Sequence, residues 1–271
     1  MATALINDGT IDFEERGEGP AVVLVHGSVV ADPWGPMLDH GDLGTDHRVL
    51  TFRRRGFGRS SPPSPGRTLG DDAADLVALL DHLGITQANA VGHSLAADIV
   101  LQAALDAPDR FRSLALLEPG LFSVPAAQGF EQAMRPVFDL FEAGQHRQAM
   151  LAFLGGVGGA EVMARLEARL PQGTTDAALA DVGTLFQHDI PAGSGWTLDE
   201  AAARDLPHPT LLALGSESGP IFRQSRDALS ALLGNVSVLD VEGSAHFVHV
   251  EQPEQVAAGL AAFLRSGVEG R

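Results

Sequence analysis

Val91-Gly92-His93-Ser94-Leu95-Ala96-Ala97 is the stretch on which the reading of this chain turns. An apolar, strand-like run from Ala88 to Val91 leads into it. An apolar helical pattern from Leu95 to Leu105 leads out. Between them stands one serine, with the small residues Gly92 and Ala96 two positions to either side. This is the strand–turn–helix setting of a nucleophile elbow. Such a turn holds its central residue in a left-handed conformation, so its flanking side chains have to be small. The hydroxyl then stands clear of the backbone, and the unpaired N–H groups of a helix start lie behind it. The usual pattern has Gly where Ala96 stands, a difference of one methyl group. A serine that simply caps an ordinary helix fits the same residues. The rest of the chain has to decide.

The chain has 271 residues, of which 45% are hydrophobic. That suits one α/β domain with an insertion and is far from the composition of a disordered chain. Asp and Glu number 35 against 18 Lys and Arg, a net charge of −17 spread along the chain. Such a surface repels nucleic acid and anionic membranes, so neither is expected as a partner. There is no cysteine. That removes disulfides, thiolate metal sites and a cysteine nucleophile together, and leaves the redox compartment open. Met1 to Gly9 has neither a basic region nor an apolar core of leader length, and no run reaches transmembrane length. A soluble cytoplasmic protein is expected. Nothing in the sequence speaks to oligomeric state.

Outward from the elbow, strand and helix alternate. Thr3 to Ile6, the turn Asn7-Asp8-Gly9, and Ile11 to Glu15 read as a hairpin. Ala21 to Val25 is a continuous β-branched run, suited to a strand buried on both faces of a parallel sheet. Further strands are expected at Arg48 to Phe52, Ser113 to Leu117, Thr210 to Leu214 and Ser237 to Val241. Helices are expected at Thr68 to Leu83, Phe222 to Leu233 and Pro253 to Leu264. From Leu121 to about Arg204 no strand is obvious. Helical stretches at Gln128 to Phe141 and Glu161 to Leu170 are separated there by Gly155 to Gly159, which reads as a hinge or a flexible loop. The expected organisation is a core of residues 1–120 and 205–271, with residues 121–204 as an inserted helical cap. No internal repeat is present.

Ligands of such sheets gather beyond the C-terminal strand ends. The residues there are His26-Gly27-Ser28, Arg53, Ser94, Glu118, Gly215 to Gly219, and Gly243-Ser244-Ala245-His246. This set holds a nucleophile, two carboxylates and a histidine, the parts that serine catalysis needs. The order of His26-Gly27, the Arg-Gly-Phe-Gly-Arg-Ser stretch ending at Ser60, the Ser94 turn, a helical insertion and Gly243 to Phe247 resembles the α/β-hydrolase superfamily, from Ile11 to Leu264. The resemblance implies the α/β-hydrolase fold: an eight-stranded, mostly parallel sheet flanked by helices, with a helical cap over the site. It also implies no cofactor and no metal.

His246 is the expected base, because it follows the last strand, with His249 as its rival. His93 is expected to point away from the nucleophile. The oxyanion hole is expected from the N–H of Leu95 and that of Ser28 or Val29. His26 and the Arg53 to Ser60 stretch read as loop supports. The acid departs from the common family pattern. Most members carry Asp after the strand that Thr210 to Leu214 matches, and Ser218 stands there instead. Glu217 is one candidate. Glu118 is the preferred one, since some branches place a Glu there, including haloalkane dehalogenases and macrolactone-opening enzymes that resemble zearalenone lactonases. Dehalogenation needs an Asp nucleophile, and this chain has Ser94. The cap aromatics are expected to form mostly its own core, while Trp34, Phe122, Phe186, Trp196 and Phe222 are expected to line an apolar pocket.

The expected function is therefore a serine hydrolase. It cleaves a carboxylic ester or lactone of an apolar organic acid or a polyketide-like small molecule through an acyl-enzyme on Ser94. Rival readings are C–C bond hydrolysis, haloperoxidase-like perhydrolysis, cofactor-free cyclisation, or a ligand-binding receptor on a hydrolase fold.

Overall fold

A computed structural model describes residues 2–40 and 43–269, with side chains to 266. Eight strands form one sheet: β1 (Ala2–Ile6), β2 (Gly9–Arg16), β3 (Ala21–Val25), β4 (Arg48–Arg53), β5 (Ala88–His93), β6 (Phe111–Leu117), β7 (Thr210–Gly215) and β8 (Val236–Val241). Their order is β1-β2-β4-β3-β5-β6-β7-β8. Only β1/β2 and β2/β4 pair antiparallel. The rest are parallel, so β3 and β5 to β8 all end on one side. All residues of β3 and β7 are buried, as apolar runs covered on both faces should be.

Side-chain parity divides the core in two. Val23, Val25, Ala90, Leu114 and Leu212 face one way, toward α1 (Leu69–His82) and α2 (Leu95–Asp106). Val22, Leu24, Val91, Ala115 and Leu211 face the other, toward Trp34, Met37 and the terminal helix Pro253–Glu269. α1 starts where Thr68 and Asp71 form a reciprocal capping box. Among the described residues no helix is long and apolar enough to cross a membrane.

Between β6 and β7 the chain is helical, beginning with α3 (Ala126–Glu142), α4 (His146–Gly158) and α5 (Val162–Glu167). The Gly155 to Gly159 run is not a hinge or loop. Its first four residues complete α4, and only Gly159, at φ +84°, leaves the helix. Close packing explains the glycines: a Cβ on Gly156 would lie 2.8 Å from Met134 of α3, and one on Gly158 2.4 Å from Val162 of α5. Helical propensity was lost there to gain close approach of neighbouring helices.

Arg54 ties this insertion to the sheet. Its guanidinium donates to both Asp189 oxygens, at 3.1 and 2.7 Å, and to the carbonyls of His26 and Gly27. Asp72 lies 3.7 Å away and accepts from or pairs with His188 at 2.9 Å. Arg54, Asp72 and Asp189 are all buried. Removing one partner of a buried pair leaves an uncompensated charge. Arg54→Met is therefore expected to lower stability by about 3–5 kcal/mol, read as a shifted urea midpoint. An unshifted midpoint would show that the pair braces nothing.

Candidate active site

β5 leads into Ser94, which has φ +56° and ψ −128°, and α2 begins at the next residue. The Ser94 N–H donates to the Leu117 carbonyl at 2.9 Å, so the strained turn is tied to the neighbouring strand. Gly92 is obligatory, because a Cβ there would stand 2.2 Å from the Ala96 carbonyl oxygen. Ala96 is fully buried, and the turn holds its methyl where a glycine is usual. Among the described residues only four other than glycine have positive φ: Asn7, Val29, Ser94 and Glu118. Three of these four lie at the C-terminal strand ends around the serine. Strain of this kind persists only where the surroundings hold it, and it gathers at functional sites.

His246 follows β8. Its Nε2 lies 2.9 Å from Ser94 Oγ, and its Nδ1 lies 3.3 Å from Glu118 Oε2. The ring is clamped from several sides. Phe222 stacks on it at 4.1 Å and 25°. The His246 carbonyl accepts from His93 Nε2 at 2.8 Å. His93 thus turns away from the serine but sits against His246, which adjacency in sequence did not reveal. His249 packs on His93 and Trp34 instead, and neither of its ring nitrogens has a hydrogen-bond partner among the described residues.

Glu118 is fully buried at the end of β6, with its N–H bonded to the Ala213 carbonyl. Its Oε1 accepts from the Gly215 N–H and, at 2.7 Å, from the Ser218 hydroxyl. Ser218, which stands where an Asp is usual, therefore supports the carboxyl group supplied by the neighbouring strand. Glu217 is exposed, and its N–H donates to the Ser244 carbonyl, away from His246. The structure brings Glu118, not Glu217, to the imidazole. Burial raises Glu118 to about 8, against the pull of the Gly215 and Ser218 donors. Burial lowers His246 to about 3, so its ring is neutral around pH 7 and keeps a lone pair for Ser94.

The loop after β3 packs directly on the turn: a Cβ on Gly27 would lie 3.1 Å from Ser94 Cβ. His26 holds this loop by donating from Nδ1 to the Gly27 carbonyl and accepting the Arg54 N–H at Nε2. Val29 is held at φ +74°, a costly conformation for a β-branched residue. No described residue accepts a hydrogen bond from the N–H of Ser28, Val29 or Leu95.

A cavity of about 50 Å³ opens at Ser94. Leu95, Phe122, Phe130, Phe153 and Phe222 wall it, with Asp98 and Asp189 also present. Three expected lining residues lie elsewhere. Trp34 is buried on the opposite face of the sheet, where the path of the loop after β3 carries it. Phe186 stacks on Phe141 at 4.5 Å, inside the insertion's own core. Trp196 donates to Gln102 Oε1 at 2.7 Å and lines a separate cleft with the Pro62 to Gly70 loop.

The family model described as alpha/beta hydrolase fold matches residues 20–253. The chain belongs to the α/β-hydrolase family. This α/β-hydrolase is similar to 2-hydroxymuconate semialdehyde hydrolase of Pseudomonas putida, 27% identical over 265 residues that cover 93% of this chain and 90% of that protein. Carboxylesterase CesB (YbfK) from Bacillus subtilis superposes with a TM-score of 0.78 at 18% identity, over 97% of this chain and 90% of the other. Est816, described as an N-acyl homoserine lactone degrading enzyme, gives 0.75 at 23% identity, over 96% and 99%. At these identities the two structural likenesses speak for the fold of the α/β-hydrolase. The family and the Pseudomonas putida relative support hydrolytic activity.

Proposed function

We propose that this α/β-hydrolase cleaves carboxylic esters or lactones through an acyl-enzyme on Ser94. The observation that carries the reading is the continuous contact from Ser94 Oγ to His246 Nε2 and from His246 Nδ1 to Glu118 Oε2. In this reading Ser94 attacks the carbonyl carbon while His246 takes its proton. The imidazolium formed donates from Nδ1 to Glu118, whose negative charge stabilises it. The oxyanion takes the N–H of Leu95 and of Ser28 or Val29, which have no other acceptor among the described residues. Collapse of the tetrahedral species expels the alcohol, which receives the proton from His246. Water then attacks the acyl carbon as His246 takes its proton, and the second collapse breaks the bond to Ser94 Oγ, which regains the proton from His246 as the acid leaves.

Residues 121–204 act as a cap in this reading. Their phenylalanines close the cavity, and Arg54 with Asp189 anchors them to the loop after β3. A cavity of about 50 Å³ accepts a short apolar acyl chain. A bulky lactone needs the insertion to move, as lids do. The relatives' names extend from a semialdehyde hydrolase to a carboxylesterase and a lactone-degrading enzyme, so the bond is the part to test. A fluorophosphonate that reports turnover-competent serines is expected to label the protein once, at Ser94, by peptide mass mapping. Absence of labelling in the folded protein would favour a binding role over catalysis.

A further inference from the structure

Asp98 is a cavity acid that no described residue answers at Oδ1. It lies on α2 four residues after Ser94, and Gln102 follows four residues later. Four residues are about one turn, roughly 6 Å of rise. Asp98 and Gln102 therefore share one face of α2, and Asp98 lines the cavity at Ser94. Gln102 is engaged, since its Oε1 accepts the Trp196 indole N–H. Asp98 is 2% exposed, and its Oδ1 has no hydrogen-bond partner among the described residues. The other cavity carboxylate, Asp189, is held through both oxygens by Arg54. The remaining walls are largely phenylalanine and aliphatic.

A buried carboxyl oxygen without a partner is costly, and proteins keep few of them. This one lines the cavity in which the acyl chain would sit. Burial raises Asp98 well above the ordinary carboxylate range, toward the neutral form that carries an O–H donor. Chemistry at Ser94 favours the same form. An ionised carboxylate one turn away would oppose the negative charge that builds on the carbonyl oxygen. A neutral carboxyl does not. We propose that Asp98 is a specificity-determining residue whose carboxyl O–H donates a hydrogen bond to a second oxygen in the substrate's acyl chain. The preferred substrates are then esters of short acids bearing an ether, hydroxyl or keto oxygen a few bonds from the reacting carbonyl. The proposal rests on Ser94 being the nucleophile toward esters.

The test compares chains that differ only in oxygen for methylene. The pairs are p-nitrophenyl 3-methoxypropanoate with pentanoate, and methoxyacetate with butanoate, each rate corrected for alkaline hydrolysis of the same ester. The parent protein is expected to favour the ether in at least one pair by about tenfold in kcat/KM. Asp98→Leu is expected to abolish that preference. Asp98→Asn, which still carries a donor, is expected to retain part of it. A parent ratio near one in both pairs, or a ratio unchanged in Asp98→Leu, overturns the proposal. So does a stronger preference for a dimethylammonium chain, which would make Asp98 a carboxylate for cations. Binding gives an independent reading. Methyl esters of the same acids, followed by ligand-observed NMR with Ser94→Ala, are expected to show the same preference and to lose it in Ser94→Ala/Asp98→Leu. Preference in binding without turnover in the parent would remove the hydrolase reading and leave Asp98's role standing. No preference in binding removes the role whatever the turnover.

Discussion

Ser94→Ala is expected to lower kcat/KM for activated esters by about 10⁴- to 10⁶-fold, while the unfolding midpoint stays with the parent. The size follows from what the hydroxyl does. It is the bond-forming atom of the proposed reaction, and His246 Nε2 at 2.9 Å has no other proton to take. The fold should survive because the turn is held by its backbone. The Ser94 N–H to Leu117 bond and the close approach of Gly92 to Ala96 do not involve the hydroxyl. Residual rate would come from the oxyanion donors and from binding. Full activity with intact structure would place the chemistry on another residue and sink the mechanism.

Glu118→Gln is expected to cost about 10²- to 10⁴-fold, and Glu217→Gln less than about twofold, as for an exposed side chain remote from the chemistry. The amide leaves the volume at the end of β6 unchanged and removes the charge that faces His246 Nδ1. The pH profile gives a second readout. The active pair has Glu118 ionised and His246 neutral, a form reached by losing protons, so activity rises with pH. Burial pushes Glu118 up to about 8 and His246 down to about 3. The acidic limb of the parent therefore follows Glu118, the group that burial holds up. Glu118→Gln removes the group that burial pushes up, so the variant's limb moves to lower pH. A larger loss in Glu217→Gln, or a limb that does not move, would reject Glu118 as the orienting acid.

Much of this was legible in residues whose neighbours are close in sequence. Ala21 to Val25 read as a doubly buried strand because burial of a parallel strand is local in consequence: every position must be apolar. The Ser94 turn was legible because its sterics act over a few residues, from Gly92 to Ala96. Ser218 advertised a missing carboxylate, and Glu118 stood at the next strand end. Features set by distant packing were not legible. Trp34 follows a loop whose path decides which face of the sheet it meets. Phe186 and Phe122 are alike in sequence, and only the fold of the insertion places one in its core and the other in the cavity. Gly155 to Gly158 looked like a breaker because glycine propensity is local, whereas the close packing that calls for Gly156 and Gly158 comes from Met134 and Val162. Asp98 hid inside an ordinary helical pattern.

The meeting of Glu118 and Ser218 has a consequence for how such proteins diverge. One residue ends β6 and the other follows β7, yet their side chains touch at 2.7 Å. Parallel strands stand about 4.8 Å apart, a gap that the extra methylene of a glutamate helps to bridge. The charge beside the imidazole thus has two addresses on adjoining strands. A lineage holding acids at both can give up either one while the histidine loop stays where it is. Kinship judged by an aligned aspartate after β7 would pass this chain over; kinship judged by the point in space that the carboxylate occupies would not.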